Sequence, residues 1–187
     1  LDYTAMATLA DQRGFLVVAP QAEGKDKEWD VTGIAKGQGK DSAFLDRLVR
    51  QVKGKDCVDP KRQFAAGLSN GSGVSIALAC RGGDGLAAYA GVATTFYNAA
   101  CDDSPPASII YFHGTGDKVV PFDGGTTPAF PVRAVPAVLA DWARHDGCDA
   151  TPTVQQVGQD VRRSTWKGCE DGARLRSYTI SGGGHTW

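Results

Sequence analysis

One serine in this sequence occupies a pattern that could make it a nucleophile. The run Gly67-Leu68-Ser69-Asn70-Gly71 fits G-x-S-x-G, in which the serine sits in a strained turn between a strand and a helix. The residues two positions to either side must be small, because strand and helix approach closely there. Such a turn exposes the hydroxyl and aims the backbone N–H of Asn70 at a developing oxyanion. An apolar stretch before the motif and an alanine-rich stretch after it predict that context.

A serine hydroxyl needs a base, which is usually a histidine oriented by a carboxylate. The sequence contains three histidines, His113, His145 and His185. With the chain order nucleophile, acid, base, His185 fits best because it follows the last predicted strand in a glycine-rich loop. His113 precedes every nearby acid. His145 is predicted to be solvated near the end of a surface helix.

Two aspartates compete for the role of the acid. Asp117 ends a tight turn at 114–117, directly after a predicted strand at 108–113, whereas Asp123 lies six residues further on, beyond Pro121. We predict Asp117, because a residue at a strand end is better placed for the site. The alternative for either aspartate is a turn residue that hydrogen-bonds its own backbone.

These side chains need elements that position them. Apolar, β-rich runs predict strands, and helical spacing predicts three helices: one capped by Asp41 or Ser42, one from the serine turn through Cys80, and one starting at Pro136. Residues 21–41 are predicted to be a loop. Strands that alternate with helices indicate a parallel sheet covered on both faces, with the chemistry at the carboxyl ends of the strands. The predicted strands are 15–20, 62–68, 87–92, 108–113 and 177–180.

Composition narrows the possible functions. The 187 residues are 42% hydrophobic and 22% charged, which suits a single domain over 1–187. A net charge of −1 gives no reason to expect nucleic acid or an anionic membrane as a partner. Three histidines without a C-x-x-C pair give a metal site little support, and we predict no cofactor. Five cysteines favour an oxidising compartment with two disulfides, and buried free thiols in the cytosol are the alternative.

Three motifs together resemble a family of secreted esterases that groups polyhydroxybutyrate depolymerases with feruloyl and acetylxylan esterases. They are the serine motif, the segment 113–121 with its following glycine pair, and Gly182-Gly183-Gly184-His185-Thr186-Trp187. The resemblance covers residues 15–187. It implies an α/β-hydrolase fold, secretion, and Ser69, Asp117 and His185 as nucleophile, acid and base. It also implies a Cys148–Cys169 disulfide, and it leaves Cys80 to pair with Cys101 or with Cys57.

The family pattern also extends beyond both ends of this sequence. Its members begin with further strands, one of which ends in a His-Gly turn that supplies a second oxyanion N–H. We therefore expect a longer protein, truncated here at both ends and lacking N-terminal strands. Without that donor, catalysis should be slower by about 10²–10³-fold.

The resulting hypothesis is a serine esterase that works through an acyl-enzyme. Trp187 and Trp29 could line the cleft and stack on an aromatic acyl group or a sugar, and ordinary packing is the alternative for each. Feruloyl or acetyl esters of plant polysaccharide are the favoured substrates, polyhydroxybutyrate is the runner-up, and a peptidase of similar fold is third. From another class, the chain could be a non-catalytic module that binds polysaccharide or polyester. The sequence predicts no oligomeric state.

Overall fold

A computed structural model describes residues 2–55, 57–82, 85–97, 101–127 and 131–187. Short 3₁₀ turns lie at Asp2–Thr4 and Glu170–Gly172. The helices are α1 (Met6–Arg13), α2 (Val31–Ala35), α3 (Gly39–Lys55), α4 (Asn70–Arg81) and α5 (Val135–His145). The strands are β1 (Phe64–Leu68), β2 (Ala88–Val92), β3 (Ile109–Gly114), β4 (Gly125–Thr126), β5 (Pro131–Val132), β6 (Thr153–Gln156), β7 (Val161–Thr165) and β8 (Leu175–Ile180).

Six strands form one sheet in the order β1-β2-β3-β8-β7-β6, and β4 pairs with β5 separately. β1, β2, β3 and β8 run parallel, while β7 and β6 are antiparallel additions beyond β8. The predicted mostly parallel sheet is therefore confirmed. The β6–β7 hairpin was not predicted because β6 is exposed along its whole length and shows no apolar alternation.

The register of the parallel strands brings the candidate residues to one edge. Leu68 pairs with Val92, and Val92 pairs in turn with Phe112, so β1, β2 and β3 end at nearly the same level. Gly114 at the end of β3 pairs with Ile180 at the end of β8. The segments that follow β1, β3 and β8 therefore all leave the sheet at its carboxyl edge, where sheets of this kind place their chemistry.

The core lies between this sheet and the helices packed against it. α4, which follows the Ser69 turn, is buried from Ser72 to Cys80. α5 has a proline in its first turn and buries Val138, Leu139 and Trp142, as its spacing predicts. None of the described helices is long and apolar enough to cross a membrane.

The predicted strand at 15–20 is wrong. The segment is irregular, and its Phe15 and Leu16 side chains are 43% and 59% exposed. An apolar run becomes a strand only when its N–H and C=O groups find a ladder partner. β1 ends the sheet order, and β2 is its only partner among the described strands, so residues 15–20 gain no such partner.

The prediction of a single loop over 21–41 is also wrong in part. The five-residue helix α2 lies within it, begun by Asp30, whose carboxylate accepts the N–H of Gly33. α3 starts at Gly39, before the predicted cap at Asp41 or Ser42. The Asp41 carboxylate instead accepts the backbone N–H of Asp30 at 2.8 Å, which explains why it does not cap its own helix.

Candidate active site

Ser69 lies in the sharp turn between β1 and α4 with φ 55° and ψ −121°. A positive φ costs a residue with a side chain on the order of 1–3 kcal/mol, and such strain concentrates at functional sites. A Cβ at Gly67 would lie 2.1 Å from the carbonyl oxygen of Gly71, so only glycine fits there. The expected steric requirement for a small residue is therefore present at Gly67 but not at Gly71, where a Cβ would meet no atom of the described residues within 4 Å. The turn leaves Ser69 partly exposed.

Asn70 makes contacts that the sequence did not indicate. It opens α4, so its backbone N–H lies in the first turn of the helix, where the predicted oxyanion donor must be. Its side-chain Oδ1 accepts the N–H of Trp29 at 2.9 Å, and Nδ2 donates to the Trp29 carbonyl at 3.3 Å. The Trp29 ring stacks on Phe44 with centroids 6.1 Å apart. Asn70 therefore ties the segment before α2 to the serine turn.

Asp117 is held by its own turn and by a histidine from another loop. Oδ1 accepts the backbone N–H groups of Val119 and Val120, each at 2.9 Å, and Oδ2 lies 2.8 Å from Nδ1 of His185. Burial alone would raise the pKa of Asp117, but the hydrogen bonds from Val120, His185 and Val119 outweigh it and lower the pKa below the usual value. The carboxylate is therefore ionised at neutral pH. Asp123, the competing candidate, is exposed.

The acid loop and the base loop are joined through their backbones. The N–H of Gly116 donates to the Gly183 carbonyl at 2.9 Å, and the N–H of Gly182 donates to the hydroxyl of Thr115 at 2.8 Å. A Cβ at Gly114 would lie 2.0 Å from the Gly183 oxygen. Gly114 and Gly116 are thus required by the close approach of the two loops, which fixes His185 relative to Asp117.

His185 presents one nitrogen to Asp117 and leaves the other available. Because a carboxylate can only accept, Nδ1 carries the proton, and in the neutral ring Nε2 keeps its lone pair. The side chain is 18% exposed, so a substrate can reach it. Within the described part of the chain, the Ser69 hydroxyl makes no hydrogen bond to His185. Serine–histidine pairs are often looser before a substrate is bound, so this geometry does not argue against the pair.

His145 is not solvated, so the expectation for it is wrong. Its side chain is only 4% exposed, with Nδ1 2.8 Å from Asp146 Oδ1 and Nε2 3.0 Å from the Ser104 carbonyl. The hydrogen bond to Asp146 is the main cause that raises the pKa of His145. The last turn of α5 is covered by the segment around Ser104, which helical periodicity does not reveal.

The cysteines form two disulfides, Cys148–Cys169 and Cys80–Cys101, and Cys57 is free and exposed. The pairing implied by the resemblance is therefore present, and of the two partners left open for Cys80, Cys101 is the one observed. Among the described residues, no group of three or more His, Cys, Asp or Glu side chains is arranged to hold a metal ion.

Several proteins that are similar in sequence to this chain are named as esterases. No family model matches the sequence. Feruloyl esterase B of Piromyces equi is 31% identical over 155 residues, which cover 78% of this chain and 28% of that protein. A probable feruloyl esterase C of Aspergillus oryzae is 30% identical over 177 residues, covering 93% of this chain and 58% of that protein. The chain thus spans little more than half, or less, of the length of these curated relatives.

A structural likeness extends over almost the whole chain. The acetyl xylan esterase from Aspergillus awamori superposes with a TM-score of 0.74 and 19% sequence identity, covering 97% of this chain and 76% of that one. At this identity the likeness shows the fold and not the activity. Together with the mostly parallel sheet and its helices, it confirms that this chain has an α/β-hydrolase fold.

Proposed function

We propose that this chain carries the catalytic residues of a serine carboxylic ester hydrolase that works through an acyl-enzyme. The observation that carries the proposal is the His185–Asp117 hydrogen bond of 2.8 Å at the sheet edge where the strained Ser69 turn also ends. An ionised, buried carboxylate, a histidine whose Nε2 has no hydrogen-bond partner among the described residues, and a partly exposed serine are the three groups that acyl transfer needs. The names of the similar proteins support the same reaction class.

In the first half of the reaction, Ser69 Oγ attacks the ester carbonyl carbon and its proton passes to Nε2 of His185. The carbonyl oxygen becomes an oxyanion that accepts the Asn70 N–H, and Asp117 stabilises the imidazolium. The bond to the alcohol oxygen then breaks, and His185 returns the proton to that oxygen. The alcohol leaves and an acyl ester remains on Ser69.

In the second half, water attacks the acyl carbon and gives a proton to Nε2 of His185. The bond to Ser69 Oγ breaks, the proton returns to the serine, and the carboxylic acid is released. Each step uses only groups of this chain, the ester and water, so the reaction we propose needs neither a metal nor an organic cofactor.

Feruloyl or acetyl esters of plant polysaccharide are the substrates we propose. The relatives named as feruloyl esterases and the fold of an acetyl xylan esterase support this class. Trp187 is 39% exposed two residues beyond His185, which leaves its ring available to stack on an aromatic acyl group or a sugar. Trp29 is the weaker candidate for this contact, because its ring already stacks on Phe44. The two disulfides support secretion, since such bonds persist in oxidising compartments.

A fluorophosphonate probe tests the reaction class. The chain should be labelled at Ser69, and a Ser69→Ala variant should not be labelled although it folds normally. Absence of labelling on the folded wild-type chain would favour the non-catalytic binding module. For the substrate, turnover of methyl ferulate or p-nitrophenyl acetate supports plant polysaccharide esters, whereas turnover of polyhydroxybutyrate film alone would replace that choice with the polyester.

A further inference from the structure

His113 is a buried ionisable side chain that the acyl transfer described above does not use. It lies in β3, one residue before the strand ends, and is 2% exposed. Its ring stacks on Tyr111 with centroids 6.4 Å apart, and the edge-to-face contact with Phe122 is 5.9 Å. A purely structural position between two aromatic rings would suit phenylalanine or leucine equally well, so the choice of an imidazole calls for a reason.

Nε2 of His113 makes two polar contacts. Nε2 is 2.8 Å from the carbonyl oxygen of Val120, and because a carbonyl can only accept, Nε2 carries a proton. The same nitrogen is 3.4 Å from Oδ2 of Asp117. Nδ1 is buried without a hydrogen-bond partner among the described residues.

The charge state of His113 follows from this environment. Burial lowers the pKa of His113, and the carbonyls of Val120 and Thr94 with the Asp117 carboxylate oppose the lowering without cancelling it, while His185 adds to it. The imidazole is therefore neutral at pH 7, with its single proton on Nε2.

His113 thus contacts both ends of the turn that presents the acid. Asp117 begins this turn. Val120 closes it, because its N–H donates to Asp117 Oδ1 at 2.9 Å and its carbonyl accepts the Nε2–H of His113 at 2.8 Å. Oδ2, the oxygen that holds His185, is the one that Nε2 of His113 faces. The neutral ring donates its proton to the Val120 carbonyl, so it restrains the turn that holds the carboxylate without neutralising the charge that His185 needs.

We propose that His113 is a positioning residue, which fixes the 117–120 turn so that Asp117 Oδ2 meets Nδ1 of His185. This inference rests on the proposed function only for its kinetic consequence. The restraint on the carboxylate is a property of the fold and is measurable without turnover. The sequence motif at 113–121 is explained in the same way, since the histidine and the aspartate four residues later belong to one hydrogen-bonded turn.

Two substitutions separate this role from simple packing. His113→Phe keeps a ring between Tyr111 and Phe122 but removes the donor, and His113→Gln restores a side-chain N–H near the position of Nε2. For His113→Phe we expect kcat to fall by about 10- to 100-fold with KM changed less than about twofold, because the substrate does not touch this residue. His113→Gln should recover at least about tenfold of the loss. A folded His113→Phe with wild-type kcat, or a His113→Gln no better than it, would overturn the proposal.

Proton and nitrogen NMR give a readout that does not depend on catalysis or on the stability of a variant. With only three histidines in the chain, each ring can be assigned by substituting the other two. In the wild-type chain, His113 should be the neutral Nε2–H tautomer at pH 7, and the hydrogen-bonded Nδ1–H proton of His185 should resonate far downfield. That downfield signal should shift or broaden in His113→Phe and return in His113→Gln. An Nδ1–H tautomer for His113, or an unchanged His185 signal in His113→Phe, contradicts the proposal even if the chain proves inactive on every ester.

Discussion

Two histidine–aspartate pairs in this chain share one contact but have different surroundings. In each pair Nδ1 lies 2.8 Å from an aspartate oxygen whose side chain is fully buried. His185 and Asp117 come from two loops and are 68 residues apart, whereas His145 and Asp146 are neighbours in the chain. The Nε2 of His145 is held by the carbonyl and the hydroxyl of Ser104 at 3.0 and 3.1 Å. No described residue hydrogen-bonds Nε2 of His185.

The second nitrogen decides what each pair can do. His145 faces an acceptor on each side, a carboxylate and a carbonyl, so the protonated ring satisfies both and its raised pKa agrees with a structural cation. His185 has an acceptor on one side only, so its other nitrogen can take a proton from a hydroxyl. The same hydrogen bond between carboxylate and imidazole is therefore a structural contact at His145 and, in the function we propose, orients a base at His185.

The largest effect expected from this difference is kinetic. His185→Gln should lower kcat/KM on p-nitrophenyl acetate by at least about 10⁴-fold, because it removes the base. The matched His145→Gln should change kcat/KM by less than about threefold, because its ring contacts no group of the acyl transfer. Steady-state kinetics at pH 7.5 measure both. Comparable losses in the two variants would show that the pairs are not functionally distinct.

The loops that carry Asp117 and His185 should be more sensitive to a single added methyl group than an open position on a helix is. Gly114→Ala would place a Cβ 2.0 Å from the Gly183 oxygen and force the acid and base loops apart. We expect kcat to fall by about 100-fold and the free energy of unfolding to fall by about 3 kcal/mol. Urea denaturation and kinetics check the two parts. Gly54→Ala, on α3 with open space around it, is the control and should leave kcat unchanged.

Ser69, Asp117 and His185 could be predicted as candidate residues because their neighbours in the sequence are small. A serine between glycines, an aspartate after a Gly-Thr-Gly turn and a histidine after three glycines each lie shortly after a strand of the parallel sheet. Close backbone approach demands glycine at Gly67, Gly114 and Gly116, so part of the physical cause of the site can be identified in the local sequence. β1, β2 and β3 were predictable because each is a short, mostly apolar run.

The hydrogen bonds of His145 could not be predicted, because its partners are set by tertiary packing. Ser104 is 41 residues away, and the end of an amphipathic helix looks the same in sequence whether it is covered or open. The clamp between Asn70 and Trp29 spans the same separation and has no local signal. The run 15–20 was misleading in the opposite sense, because it is apolar but none of the described strands pairs with it.

The pH dependence of stability tests the charge on His145. The pKa of His145 is raised in the folded chain, so its stabilisation is complete below the unfolded value of about 6.5 and is lost as the pH rises through the folded pKa. The difference in unfolding free energy between wild type and His145→Gln should be about 2 kcal/mol at pH 5.5 and shrink towards pH 9. Urea melts across this range measure it.

The pKa of His113 shifts in the opposite direction to that of His145, so the free energy of unfolding of the wild type alone would combine the two contributions. The difference between wild type and His145→Gln isolates the contribution of His145. Burial lowers the pKa of His113, so its contribution is present above the unfolded pKa and is lost as the pH falls through the folded pKa. Because both chains in the pair contain His113, its contribution cancels. A difference that stays constant or grows from pH 5.5 to 9 would contradict a cationic His145.

The smallest expected effect concerns the turn that carries Ser69, which we propose acts together with His185 and Asp117. The His145–Asp146 pair is buried. The serine turn is instead restrained by two hydrogen bonds between the Asn70 side chain and the Trp29 backbone. Asn70→Ala removes both hydrogen bonds but keeps the backbone N–H, so we expect KM for methyl ferulate to rise about fivefold with kcat on p-nitrophenyl acetate changed less than about twofold. Phe44→Leu is the control, because it removes the ring stacked on Trp29 and leaves the clamp intact. A rise in KM in Phe44→Leu alone would assign the effect to the ring, and a large loss of kcat in Asn70→Ala would mean that the clamp holds the oxyanion donor itself.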